Sequence, residues 1–308
     1  MKRDRVSAAR LAAQTGSGRA AAFLDAAKEH ERNGRPADAL RSYSDAVEAA
    51  NAAGERRLEA EVLRRIAVVH HHRNEGALAG ELAMRSYDIA RSIGDDVLAG
   101  EALNVLAGFD FEAGLMEQAR ARYQEALQLS EGNPALRGRV EQNLGILANI
   151  QGDHGRAVTH YRRSLDAFEQ SGDEKGRAIA YHNLGMVSAD RGYWEDADAH
   201  FRQALAMAQA VGDVHLTGLC LLNHSEVHIA RQRFEDARHN AESALAIFDR
   251  LGARLDKADA YKVIGMVYRE TGRQALAESR LRTAIGLAVG TGSVLSEAEA
   301  SRELARLY

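Results

Sequence analysis

The sequence predicts an all-α fold of stacked helical hairpins, and three observations carry that prediction. First, a small residue recurs at Ala39, Ala79, Ala119, Ala157, Ala197, Ala237 and Ala277, in steps of 40 residues except between Ala119 and Ala157, where the step is 38. Self-similarity at this period marks supersecondary units stacked in one elongated array, each touching only its neighbours. Second, the 308 residues are 45% hydrophobic, rich in Ala and Leu, with only 2 Pro, which suits helices and argues against sheet. Third, glycines punctuate the period. Gly34, Gly114, Gly152, Gly192 and Gly272 stand before the small column, and Gly54, Gly94, Gly172, Gly212, Gly252 and Gly292 stand after it. Helices commonly finish on a left-handed residue at such points.

Taken in order, residues 1–19 form an N-terminal segment and residues 20–308 the array. Arg3–Gln14 reads either as a short basic helix or as a frayed terminus, with Thr15–Gly18 as a flexible break. The units run at about 20–55, 56–95, 96–133, 134–173, 174–213, 214–253 and 254–293, each a first helix, a turn and a second helix. The fourth unit serves as template. Its first helix, over 138–151, is apolar at Leu144, Leu147 and Ala148; after Gly152-Asp153 a second helix carries Ala157, Val158, Tyr161, Leu165 and Phe168 on one face. The 38-residue step falls at Asn133-Pro134, where the pitch of the stack is expected to change. The last segment, 296–308, reads as an unpaired eighth first helix. It is either the polar cap that closes an array or the beginning of a further repeat in a longer protein. Leu304 and Leu307 look like a face awaiting a partner and favour the longer protein; the same open end offers a route to self-association.

A second small column lies on the first helices, at Ala27, Ala67, Ala107, Gly145, Gly185, Ser225 and Gly265. Two small columns on partner helices let the backbones approach closely while bulky neighbours interdigitate. Those neighbours are Tyr43, Tyr123, Tyr161, Phe201 and Leu281, and the slot is empty at Ala83 and Ala241. Tyr87 is expected to fill part of the first gap. The sixth unit, with His224 where others have Leu144 or Leu184, is expected to be the loosest.

Several slots recur together as Asn143-Leu144-Gly145, Gly152, Ala157, Tyr161 and Ser164-Leu165, and again as Asn183-Leu184-Gly185, Gly192, Ala197, Phe201 and Ala204-Leu205. This pattern resembles the tetratricopeptide repeat (TPR), in the 40-residue form of spindle-orientation adaptors, kinesin light chains and bacterial regulators. The resemblance covers roughly residues 20–308. It implies a right-handed α-α superhelix, a TPR solenoid of about seven helix-turn-helix repeats plus a final unpaired helix. It also implies a concave groove, lined by the first helices, that takes an extended or helical peptide. Within that family the Asn before Leu-Gly is a groove position, which Asn143 and Asn183 match and Asn223, followed by His224-Ser225, matches in part.

The first-helix residues expected to point away from the second helix are Arg64, Arg65, Asn104, Arg139, Gln142, Asn143, Asn149, His182, Asn183, Asn223, Lys262 and Arg269. A side-chain amide carries both a donor and an acceptor, so an Asn ladder can hold a peptide backbone; the same amides can instead bond neighbouring helices and tune their stacking. The bases lean toward an acidic partner, and Glu61, Glu101, Glu112 and Glu226 dilute that bias. The expected function is a non-catalytic interaction scaffold that binds a peptide or protein segment. The alternative is the sensor portion of a larger signalling or transcription regulator.

Other function classes lack support. A net charge of −4 removes the electrostatic basis for general nucleic-acid binding. No apolar run long enough for a membrane span and no signal peptide occur, so the expected location is cytoplasmic. No nucleophile elbow, phosphate loop or dinucleotide fingerprint is present, so no enzyme and no cofactor are expected. The run His70-His71-His72 diverges by about 100° per residue around a helix, which leaves at most two imidazoles for one ion. His224 and His228 have i, i+4 spacing but lack further ligands in the sequence, so no metal is expected. Cys220, the single cysteine, and Trp194 read as packing residues.

Overall fold

The computed structural model describes residues 16–308, which form helices and no strand. The expected short helix or frayed end at Arg3–Gln14 lies outside the described residues. Gly16–Gly18, expected as a break, instead opens the first helix. The first turn of a helix tolerates weak helix formers because its N–H groups need no partner within the helix.

The chain divides into two compact units, Met1–Leu147 and Ala148–Tyr308. In the first, α1 (Gly16–Arg32) pairs with α2 (Pro36–Ala53), α3 (Arg56–His72) with α4 (Gly76–Ser92), and α5 (Asp96–Glu112) with α6 (Met116–Gln128). The unit boundary falls within α7 (Pro134–Ile150). In the second unit, α8 (His154–Ser171) packs on α9 (Glu174–Asp190). Here α9 pairs with α10 (Trp194–Ala210), α11 (Val214–Ala230) with α12 (Phe234–Leu251), and α13 (Arg254–Glu270) with α14 (Gln274–Thr291). Finally α15 (Val294–Ala305) packs on α14 and α13. Successive odd-numbered helices also touch within each unit, so first helices form one face and second helices the other. This is the all-α helical repeat that the period predicts.

Both small columns are buried. Ala39, Ala79, Ala119, Ala157, Ala197, Ala237 and Ala277 have no exposed surface, and neither do Ala27, Ala67, Ala107 and Ser225. In the first unit Leu103, Ala107, Ala119, Tyr123, Leu136 and Val140 share one core. Half-buried Tyr87 packs against that core and against the preceding one, and donates its hydroxyl proton to Glu125 at 2.9 Å. In the second unit Trp194 lies against Ala197, Phe201 and Val227. Cys220 is buried among Ala178, Ala204 and Leu216, and burial pushes its thiol up to about 12, so it is a packing residue.

Four helix starts share one side-chain cap. Asp95, Asp153, Asp173 and Asp213 accept from the backbone N–H three residues on, at 2.8–3.0 Å. The 38-residue step is absorbed in one element: α6 has 13 residues, whereas every other second helix has 17 or 18. After it, Gly132 takes a positive φ and Asn133 Oδ1 accepts from Leu136 N at 2.9 Å to start α7. The last helix begins at Val294, two residues before the expected start, because Ser293 caps it. Among the described residues no helix is long and apolar enough to cross a membrane.

Candidate functional site

The first-helix face of the first unit is built from α3, α5 and α7. Asn143 Nδ2 donates to Asn104 Oδ1 at 2.9 Å, and both side chains are half-exposed. Each amide keeps unused capacity, since an amide offers two donors and an acceptor with two lone pairs. Beside this pair Glu101 is clamped by Arg64 at 2.6 Å and Arg139 at 2.9 Å. Glu61 takes Arg65 at 3.3 Å and Lys28 at 3.5 Å. Two of these bases, Arg64 and Arg65, line a cavity of about 170 Å³ together with Arg57, Glu61 and Glu101. Arg64 Nε is buried there without a hydrogen-bond partner, and desolvation lowers the Arg64 pKa. Arginines outnumber acids on this face, and its Glu residues already hold them, as the dilution argument expects.

The second unit presents a different chemistry. His182 and Asn183, expected to point away from the second helix, are buried. His182 turns its ring edge onto Phe201 of α10, with centroids 5.7 Å apart, because the neighbouring small residue Gly185 lets that aromatic come close. Asn223 Nδ2 donates to His182 Nε2 at 2.9 Å. An acceptor nitrogen is a neutral one, and burial lowers the His182 pKa to about 4, so the two observations agree. Asn183 Nδ2 is buried without a hydrogen-bond partner. Asn149 lies between His154 at 3.0 Å and Asp190 at 3.4 Å. Lys262 is taken by Glu299 at 2.6 Å, and Arg269 by Glu303 and by Glu270 at 2.7 Å. Gln142 is half-buried on α7.

On this face Glu226 stands exposed, with Asp190, Asp259 and Glu299 near enough to act on it. The bases therefore concentrate in the first unit. Acids prevail around Lys262 in the second.

The histidine run is split three ways. His70 bonds Glu75, His71 stacks on Phe109 at 4.1 Å and bonds Glu112 at 2.7 Å, and His72 is exposed. The pair His224 and His228 fares differently, because the fold brings Asp198 of α10 against it. Donor atoms of Asp198, His224 and His228 all lie within 4.8 Å of one another, and all three residues are buried. This trio lines a cavity of about 640 Å³. Sequence reasoning missed Asp198, although an acid immediately after Ala197, in the slot that Val158 holds one repeat earlier, was a visible signal.

The family model for the tetratricopeptide repeat matches residues 98–170, 136–210, 176–250 and 219–288. The chain belongs to the tetratricopeptide-repeat family. A comparison with curated proteins returns no match. Among solved structures, this TPR chain is similar to the apo quorum sensor NprR from B. thuringiensis, at 15% identity and a TM-score of 0.69, over 90% of this chain and 78% of that one. It is similar to the Rap conjugation gene regulator of plasmid pLS20 in complex with the Phr* peptide, at 17% identity and a TM-score of 0.66, over 92% and 74%. BtubC from P. vanneervenii aligns at 22% identity with a TM-score of 0.60, over 69% and 91%. At these identities the likeness is one of TPR fold.

Proposed function

We propose that this TPR chain is a non-catalytic, cytoplasmic scaffold whose first-helix face binds a peptide or protein segment in a concave groove. The observation that carries the reading is the Asn104–Asn143 pair, half-exposed and flanked by Arg64 and Arg139. Its spare amide donors and acceptor match what an extended backbone presents. Fold relatives described as complexed with the Phr* peptide or with Competence and Sporulation Factor support the peptide class. In the second unit, taken by itself, Asn149 and Asn223 are the partly exposed amides on the first-helix face, with Lys262 and Arg269 as flanking charges.

The test uses peptides selected on the parent protein from a random display library and titrated calorimetrically. Asn104→Ala with Asn143→Ala should weaken binding by about tenfold or more, since each lost neutral hydrogen bond is worth roughly 1 kcal/mol. Undiminished affinity in that double variant sinks the groove assignment.

A second reading, the sensor portion of a larger regulator, is supported by likeness to a quorum sensor and to a signal-transduction ATPase of Pyrococcus horikoshii described as having a tetratricopeptide repeat sensor. The native gene sequence downstream of Tyr308 checks it: an in-frame output domain supports this reading, and an immediate stop codon argues against it.

A further inference from the structure

The sixth repeat carries a cluster that peptide binding does not use. His224 and His228 stand one turn apart on α11, and Asp198 faces them from α10, the second helix of the preceding repeat. His224 Nε2 donates to Asp198 Oδ1 at 2.8 Å, and the two imidazole rings lie 4.2 Å apart. The other carboxylate oxygen, Oδ2, is held by Arg202 at 3.0 Å, with Arg231 at 3.6 Å. Burial by itself would raise the Asp198 carboxyl, but the His224 bond and those guanidiniums outweigh it and hold it ionised, below the usual range.

Two explanations compete. A plain Asp-His bond accounts for Asp198 and His224. It does not account for His228, which is 7% exposed and whose Nδ1 is buried without a partner. A buried imidazole nitrogen left unbonded loses solvation with no return. Two imidazoles one helical turn apart facing a carboxylate form a nitrogen- and oxygen-donor set suited to a borderline first-row cation and not to Mg²⁺ or Ca²⁺.

We propose that Asp198, His224 and His228 bind one divalent transition-metal ion of the Zn²⁺ class, with the remaining coordination position open to the adjoining cavity. Two ligands at about 2.1 Å from a tetrahedral ion stand about 3.4 Å apart. The 2.8 Å contact between His224 and Asp198 therefore has to open only slightly to admit the ion. The proton on His224 Nε2 moves to Nδ1, which keeps the imidazole neutral and frees Nε2 for the metal. Asp198 divides its work: Oδ1 turns to the ion while Oδ2 stays on Arg202 and Arg231. Ligating carboxylates are commonly oriented by such outer contacts. Binding here ties α10 to α11 and thus fastens the fifth repeat to the sixth.

The test takes the full chain, freed of metal by chelator, and titrates it with Co²⁺ and then Zn²⁺. The expected result is one equivalent of Co²⁺ showing the intense visible bands of a four- or five-coordinate ion, displaced by one equivalent of Zn²⁺. His228→Gln and Asp198→Asn should each weaken binding at least tenfold. The joint change of His70, His71 and His72 to Gln should leave it unchanged. Absence of stoichiometric binding, weak six-coordinate bands, or unaltered affinity in a folded His228→Gln protein overturns the proposal. Because the Co²⁺ spectrum is read on the parent protein, the outcome stands even if a variant fails to fold.

Discussion

Gly185 shows how much the repeat depends on single positions. A Cβ at that residue would stand 2.8 Å from two ring carbons of Phe201, which is itself fully buried. Ala is the better helix former by about 1 kcal/mol, but overpacking a rigid aromatic costs roughly 1–3 kcal/mol, so the clash wins. Gly185→Ala should therefore destabilise by up to about 2 kcal/mol in urea unfolding. The reverse holds at Gln232, which adopts φ +59 in the turn slot that glycine fills at Gly192. A left-handed non-glycine residue is strained by about 1–2 kcal/mol, more than the extra chain entropy of glycine, so Gln232→Gly should gain up to about 1 kcal/mol. His182 supplies a pH signature. Its native pKa of about 4 lies below the unfolded value of 6.5, so the unfolded chain binds more protons between those limits. Its contribution is present above pH 6.5 and lost as pH falls toward 4, on the order of 3 kcal/mol across that window. Protonation also removes the lone pair that Asn223 uses. Urea midpoints of the parent at pH 7 and pH 5, against His182→Gln, which keeps an acceptor without the titration, check this.

Among the helices, most turns were legible in the sequence, because small residues and glycines recur at fixed spacing; starts were less so, since α7 begins at Pro134 and not at 138. Asp173 caps one such start. Its carboxylate accepts from Gly176 N at 2.8 Å, and Asp173→Ala should cost about 1 kcal/mol and speed amide exchange in the first turn of α9. The Asn ladder was legible only as a set of positions. One slot places Asn143 half in solvent, while the matching Asn183 is buried in its repeat, and spacing alone carries no information about how deep a first-helix residue sits. Asp198 escaped notice for a related reason: its partners lie 26 and 30 residues away on another helix, a pairing that a search along one helix does not visit.

At the scale of the whole molecule, the chain divides into two compact units with a boundary inside α7. A uniform period cannot reveal such a boundary, because contacts and not spacing define it. Stacked repeats couple mainly to nearest neighbours, so damage should stay local. Hydrogen exchange of Gly185→Ala should lose protection in α9–α11 while α1–α5 keep theirs; an even loss along the chain would instead mean one cooperative body. The shortened α6 has a practical corollary. The period is two residues shorter there, with Ala119 still in its column and the cap in place at Asn133, and the tip at Glu131-Gly132 is exposed. A protein engineer seeking to splice in a fluorophore, a tether or new termini would cut the chain at that tip, where a change of length sits between two intact helices.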